Sequence, residues 1–219
     1  MNNTQRFQLA AVESLAGGRD APLVAAHALA PSVDPQTVVL VEGISDQAAL
    51  EALAARGGRD LAAAGIAVVP MGGARNIRRF LELFGPRGLD LRLAGLCDAG
   101  EEGDVRRGLE WAGLGSNLTR ADMEALGFYV CLADLEDELI RCLGTAGVEQ
   151  VVEAQGELGS FRTFQQQPAW QGRSSQAQLR RFIGTYSGRK IRYGRLLVEA
   201  LELPTVPRPL DRVLAHSWF

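Results

Sequence analysis

Lysine is nearly absent from this chain of 219 residues, where Lys190 stands alone beside 22 arginines. Histidine is almost as scarce, with only His27 and His216. The three cysteines, Cys97, Cys131 and Cys142, are odd in number and show neither CxxC pairing nor ligand spacing with a histidine. This leaves no basis for a disulfide framework or a His/Cys metal site, and reduced core thiols are expected. No apolar run approaches the ~20 residues that span a bilayer, and Met1 to Leu15 lacks the basic start and apolar heart of a signal peptide. The expectation is a cytoplasmic protein with no membrane partner. A P-loop of the form GxxxxGK[ST] is missing too, because Ile191 follows the lone lysine. Aromatic residues make up 6% of the chain, and Trp111, Trp170 and Trp218 lack the interleaving of a stacking platform, so each is expected to pack in a core or interface.

The apolar share, 47%, is enough for a core. The net charge of −3 argues against a nucleic-acid partner only until it is divided by region. From residue 160 onward ten basic residues face Glu199, Glu202 and Asp211, whereas the first 159 residues carry 13 basic and 23 acidic ones. An acidic body with a basic tail suits a metal site joined to a phosphate-gripping segment, because carboxylates hold cations and arginines neutralise phosphates. A solvated basic helix without a partner has the same composition.

Residues 4–16 and 20–30 have helical spacing and stop at Pro31 and Pro35, which predicts a helical extension over residues 1–36. Thr37 to Val41 is a β-branched apolar run, followed by Gly43 and a helix from Asp46 to Arg56 with Ser45 placed to cap it. The unit then repeats. Ile66 to Pro70, Leu91 to Cys97 and Phe128 to Leu132 read as strands, followed by helices over residues 76–84, 105–112 and 135–143. Gly72 and Gly73 read as a strand-to-helix turn more readily than as a phosphate cradle. Apolar strands alternating with short helices predict an α/β fold, a mostly parallel sheet of about four strands with helices on both faces, spanning residues 37–145. Residues 146–219 read as a basic helical region: a Gln-, Gly- and Glu-rich loop or partly helical linker to residue 172, helices over 175–186 and 190–203, and an irregular tail carrying Pro204, Pro207 and Pro209.

In open parallel sheets chemistry gathers at the carboxyl ends of the strands. Every candidate acid falls there: Glu42 and Asp46 after the first strand; Asp98, Glu101, Glu102 and Asp104 after the third; Asp134 and Glu136 after the fourth. Carboxylates are the ligands that Mg2+ and Mn2+ prefer, and two such ions can flank an in-line phosphoryl displacement. Asp46, Glu101, Glu102, Asp134 and Glu136 are also open to a plainer reading, since acids favour the positive end of a helix dipole. Glu42 and Asp98 each terminate an apolar strand, where burial is costly without a cation or a shifted pKa.

The stretches Val39-Leu-Val-Glu-Gly-Ile-Ser-Asp46, Leu93-Ala-Gly-Leu-Cys-Asp98 and Asp134-Leu-Glu-Asp-Glu-Leu139 together resemble the Toprim domain, especially that of OLD-family (overcoming lysogenization defect) nucleases, over about residues 37–145. The resemblance implies a Toprim-like, Rossmann-like fold. It also implies Glu42 as metal ligand or general acid/base, Asp98 and Asp46 as ligands, and an acid at Asp134 or Glu136 completing a two-ion Mg2+ or Mn2+ site. The family's third strand ends in Asp-x-Asp, and here the second Asp is replaced by Gly100, leaving Glu101, Glu102 or Asp104 to supply the oxygen. OLD proteins usually join an ATPase to this domain, so a separate ATPase or helicase and a homodimer are the expected protein partners.

A chain that otherwise uses arginine keeps one lysine, which suggests a place needing a compact ammonium to stabilise charge on a phosphoryl group. The segment Gly188-Arg-Lys-Ile-Arg-Tyr-Gly-Arg-Leu-Leu resembles the C-terminal region of OLD nucleases, where a lysine serves the active site. Arg189, Arg192 and Arg195 recur every third residue and could grip a DNA backbone. The leading expectation is a metal-dependent endonuclease or nicking enzyme acting on DNA with water as nucleophile. Its rivals are an inactive Toprim scaffold that binds nucleic acid or an ATPase, and a primase-like nucleotidyl transferase.

Overall fold

The computed structural model describes residues 35–218. The helices expected before residue 35 lie outside this range. Four parallel strands, β1 (Thr37–Val41), β2 (Ile66–Pro70), β3 (Arg92–Cys97) and β4 (Phe128–Val130), form one sheet in the order β2-β1-β3-β4. β1 lies between β2 and β3, with Val41 opposite Pro70 and Leu96, so all five of its residues are buried. Interior strands of a doubly covered sheet must be apolar on both faces, and that is how Thr-Val-Val-Leu-Val reads.

The helices are α1 (Ile44–Arg56), α2 (Ile77–Phe84), α3 (Glu102–Trp111), α4 (Arg120–Ala125), α5 (Leu135–Ala154), α6 (Leu158–Gln165), α7 (Ser175–Ile183), α8 (Ser187–Ala200) and α9 (Arg208–Ser217). Alternate strand residues divide the core into two layers. Val38, Leu40, Ala67, Val69 and Phe128 pack against α2 and α3 through Ile77, Phe80, Leu81 and Leu109. Val39, Val41, Ala94, Leu96 and Tyr129 share the other layer with Leu50 of α1, Leu139 of α5, Phe182 of α7, Leu197 of α8 and Val213 of α9.

Several elements differ from their sequence reading. Residues 146–172 are largely helical: α5 breaks at Gly144, whose φ of 70° suits glycine, and then resumes to Ala154 by burying Val148 and Val152. The tail is not irregular, because Pro207 and Pro209 sit at the start of α9, where a missing N–H costs nothing. The polar helix α4 has no apolar period and was invisible to pattern reading. Ser45 does not cap α1; the Asp46 carboxylate reaches back to the Gly43 N–H at 2.8 Å. Cys97 and Cys131 are buried as expected, while Cys142 is exposed. The glycine pair is a turn: Gly72 and Gly73 have φ of 69° and 115°, and the Gly73 N–H donates to the Glu42 carbonyl at 3.0 Å.

Candidate active site

Three of the four strands, β1, β3 and β4, deliver acids to the same edge. Glu42 follows β1 and Asp98 follows β3, its immediate neighbour, while the Ala99 N–H bonds to the Ala133 carbonyl and so draws the loop after β4 alongside. Burial, reinforced by the nearby Glu42, Asp46 and Asp134 anions and opposed by Lys190, pushes the Asp98 carboxyl up to about 8. The mutual repulsion places the acids of three strands in one electrostatic neighbourhood. Asp46 is buried, and burial raises its pKa despite the Gly43 N–H and Lys190, which lower it.

Lys190 reaches this neighbourhood through a tight helix crossing. A Cβ on Gly194 would lie 2.9 Å from the Ser45 carbonyl oxygen, so only glycine lets α8 approach α1 this closely. Lys190, one turn earlier on the same face, is thereby presented to the amino end of α1. Its Nζ lies 3.4 Å from Glu136 Oε2. Burial works against the ammonium, but the anions Glu136, Asp46 and Asp98 outweigh it and hold Lys190 above its ordinary value. Burial likewise pushes Glu136 up to about 7, with Lys190 opposing, and the other oxygen of Glu136 is buried without a hydrogen-bond partner.

The remaining expected residues divide. Asp134 has a structural role, in which Oδ1 caps α5 by accepting the Asp137 N–H at 2.8 Å and Oδ2 accepts from Arg180 Nε at 2.7 Å. Of the pair Asp134 and Glu136, Glu136 is therefore the acid with free valence. Glu101 feels the Glu42 anion after its modest burial, both raising its pKa, which makes it the acid nearest to replacing the one missing at Gly100. Glu102 is held by Arg106 and Arg120, and Asp104 by Arg107. The expected phosphate-gripping arginines are engaged within the chain: Arg189 and Arg192 with Glu157, and Arg195 with Glu199. Sequence reading missed Arg180 and Glu157, whose significance comes from partners 46 and 35 positions away. It also placed Trp170 in a core or interface, whereas its ring stacks on Phe164 and lines an open cleft beside Glu136 and Lys190. Trp111 is partly exposed, flanked by Arg78 and Arg87.

Among the described residues, no three His, Cys, Asp or Glu side chains stand close enough to enclose a metal ion unaided. The donor set nevertheless fits a hard divalent cation. It is oxygen-only, several members hold protons beyond the usual carboxylate range, and a buried Glu136 oxygen lacks a partner. Mg2+ in particular binds through one or two carboxylates and keeps waters or substrate phosphate for its other positions.

A four-stranded parallel sheet in this order, with acids gathered at its carboxyl edge beside a lysine, defines a Toprim-type α/β domain. Residues 36–99 match the family model described as "Overcoming lysogenization defect protein-like, TOPRIM domain". The fold is similar to that of the C-terminal region of the Burkholderia pseudomallei OLD protein, with a TM-score of 0.64 and 20% identity over 84% of this chain and 97% of that one. It is also similar to the C-terminal region of the Xanthomonas campestris pv. campestris OLD protein, with a TM-score of 0.67 and 22% identity over 84% and 92%. No curated protein matches the chain. The family match thus covers β1 to β3, and the fold as a whole is similar to that of the C-terminal region of OLD proteins. Among the described residues, no helix is long and apolar enough to cross a membrane.

Proposed function

We propose that this protein hydrolyses phosphodiester bonds of DNA with the help of bound Mg2+ or Mn2+, as an endonuclease or nicking enzyme. The observation that carries the reading is the convergence of Asp46, Asp98 and Glu136 on the only lysine of the chain, with Glu42 acting on Asp98 from the neighbouring strand end. These four acids would hold the cation, with Glu101 the nearest reserve. A divalent ion bound there supplies charge neutralisation at the phosphate and acidifies water. Lys190, already among anions, stays protonated and faces the charge that builds on the phosphoryl oxygens. Glu42, at the carboxyl end of β1, would take the proton of an attacking water. Purified protein with Mn2+ is expected to convert supercoiled plasmid to open-circular or linear forms, and Glu42→Ala or Asp98→Ala to abolish it. Equal cutting by those variants would falsify the reading.

A second reading, a Toprim scaffold that binds without cutting, is favoured by Gly100 and by the absence among the described residues of a ready-made metal cage. Calorimetric titration with Mn2+ separates the two. A scaffold gives no heat that depends on Asp98 and Glu136.

A further inference from the structure

Beside the acids, Asp134, Glu136 and Lys190 form one wall of an open cleft of ≈ 400 Å³, and Trp170, Arg181 and Gly184 line its other parts. Its electrostatics are simple to sum. Asp134 is neutralised by Arg180 and Glu136 by Lys190, while Arg181 is exposed and has no salt-bridge partner among the described residues. The cleft is therefore left cationic along α7, where Arg181 is unengaged among the described residues, whereas on α8 Arg189 and Arg192 share Glu157 and Arg195 pairs with Glu199.

Its apolar surface is equally specific. Trp170 is fixed by stacking on Phe164, with ring centroids 5.1 Å apart, and by the bond from Gln178 Nε2 to its carbonyl at 2.8 Å. A tryptophan held this way costs little entropy when it meets a flat ligand. Two residues past Gly184, Tyr186 is 66% exposed, and Leu132, two residues before Asp134, is 64% exposed. Ile44, the first residue of α1 between Glu42 and Asp46, is a third exposed apolar side chain. Single exposed apolar residues are ordinary, but three of the five largest here fall within four positions of an acid-site residue.

From this combination we infer that the cleft along α7 is a track for an unpaired nucleic-acid strand, in which a base stacks on Trp170 while Arg181 holds the adjoining phosphate. A duplex keeps its base faces stacked on one another and out of reach, so an aromatic face beside the acids rewards strands whose bases are free. The chemistry selects gapped, frayed or single-stranded DNA over intact duplex. The inference rests on the proposed nuclease reading for its biological sense, but not for its test.

That test is binding in EDTA, which removes the metal from the question. Fluorescence anisotropy compares a labelled oligothymidylate, the same backbone with abasic sites in place of the bases, and a blunt duplex of equal length. The oligothymidylate is expected to bind the wild-type chain roughly tenfold or more tightly than either competitor, as stacking of one base provides. Trp170→Ala should erase its advantage over the abasic strand, Trp170→Phe should restore much of it, and Arg181→Ala should weaken both single strands by a similar factor. Equal affinity for the thymine and abasic strands, preference for the duplex, or no binding by any of them overturns the track, the last pointing to a protein on this surface. Trp170-dependent binding in a chain that cuts no plasmid keeps the track and removes the nuclease. Plasmid cutting without preference for the thymine strand does the reverse.

Discussion

Two groups of carboxylates lie on this molecule, one at the carboxyl edge of the sheet and one on α4 beside β4, and they titrate in opposite directions. Asp46, Asp98 and Glu136 are all raised, burial being the largest cause in each case. Asp122 and Glu124 are lowered, Asp122 by the Thr119 hydroxyl and backbone and Glu124 by the Arg208 guanidinium. The α4 acids have every partner they need, so they serve the fold and nothing else. The sheet-edge acids are desolvated, crowded by like charge and short of donors, a state that folding alone gives no reason to keep. An acid's type and position near a helix start are shared by both groups; unmet demand for positive charge separates them.

The largest expected effect comes from altering that demand at Lys190. Lys190→Ala removes the cation facing Glu136 and Asp98, so plasmid cleavage should fall by about 10² or more, the loss typical of one preorganised charge-stabilising donor. The same change makes the site more negative, so Mn2+ should bind at least as tightly as to wild type in calorimetry. Lys190→Arg keeps the charge but not the compact ammonium and should not fully rescue cutting. Weaker Mn2+ binding by Lys190→Ala would place the lysine in support of the fold and remove it from the chemistry.

Next in size is the cost that the crowded acids impose on stability. In the unfolded chain Asp98 loses its proton near 3.8, whereas in the fold it keeps it up to about 8, and Glu136 behaves similarly from 4.5 to about 7. Stability from these groups is therefore complete below the unfolded values and is lost as pH rises through the folded ones. Chelated protein should melt lower at pH 8.5 than at pH 5.5. Asp98→Asn should recover part of the difference, of order 1–3 kcal/mol after allowance for solvent screening at this partly open site, which is several degrees in a chain this size. Mn2+ takes the place of the protons, so its thermal shift should be greater at pH 8 than at pH 6. A pH-independent melting temperature in EDTA would place the acids apart in solution.

The contrast also marks what could be read in advance. Four apolar runs separated by helical stretches gave the parallel sheet, and the order of strands in an open sheet carried Glu42, Asp98 and the Asp134–Glu136 pair to one edge without any knowledge of distances. The helices of α5 beyond Gly144 and of α9 escaped because glutamine, glycine and proline hid a period set by Val148 and Val152 in one and by Leu210, Val213 and Leu214 in the other. Between Asp134 and Glu136 no pattern could choose, since both precede or open the same helix; Arg180 decides it by claiming Asp134. Arg189, Arg192 and Arg195 have helical spacing and the right sign, but Glu157 and Glu199 answer them from elsewhere in the fold and from the next turn. Spacing locates a charge, and tertiary partners determine whether it is free.

The smallest effect belongs to the satisfied group and serves as the control. Arg208 grips Glu124 with two parallel bonds, Nη1 to Oε1 at 2.8 Å and Nη2 to Oε2 at 2.6 Å, tying the start of α9 to α4. Because the folded pKa of Glu124 is depressed, this support is present above the ordinary carboxylate range and fades as pH falls through the folded value. The pair is largely solvent-exposed on the arginine side, so Glu124→Gln should cost less than about 1 kcal/mol and lower the melting temperature by no more than a few degrees at pH 7. Mn2+ binding and plasmid cleavage should match wild type, because Glu124 is engaged by Arg208 of α9 and by none of the acids at the carboxyl edge of the sheet. A loss of cutting as large as that expected for Lys190→Ala would mean that the two carboxylate groups are coupled, and would erase the distinction drawn between them.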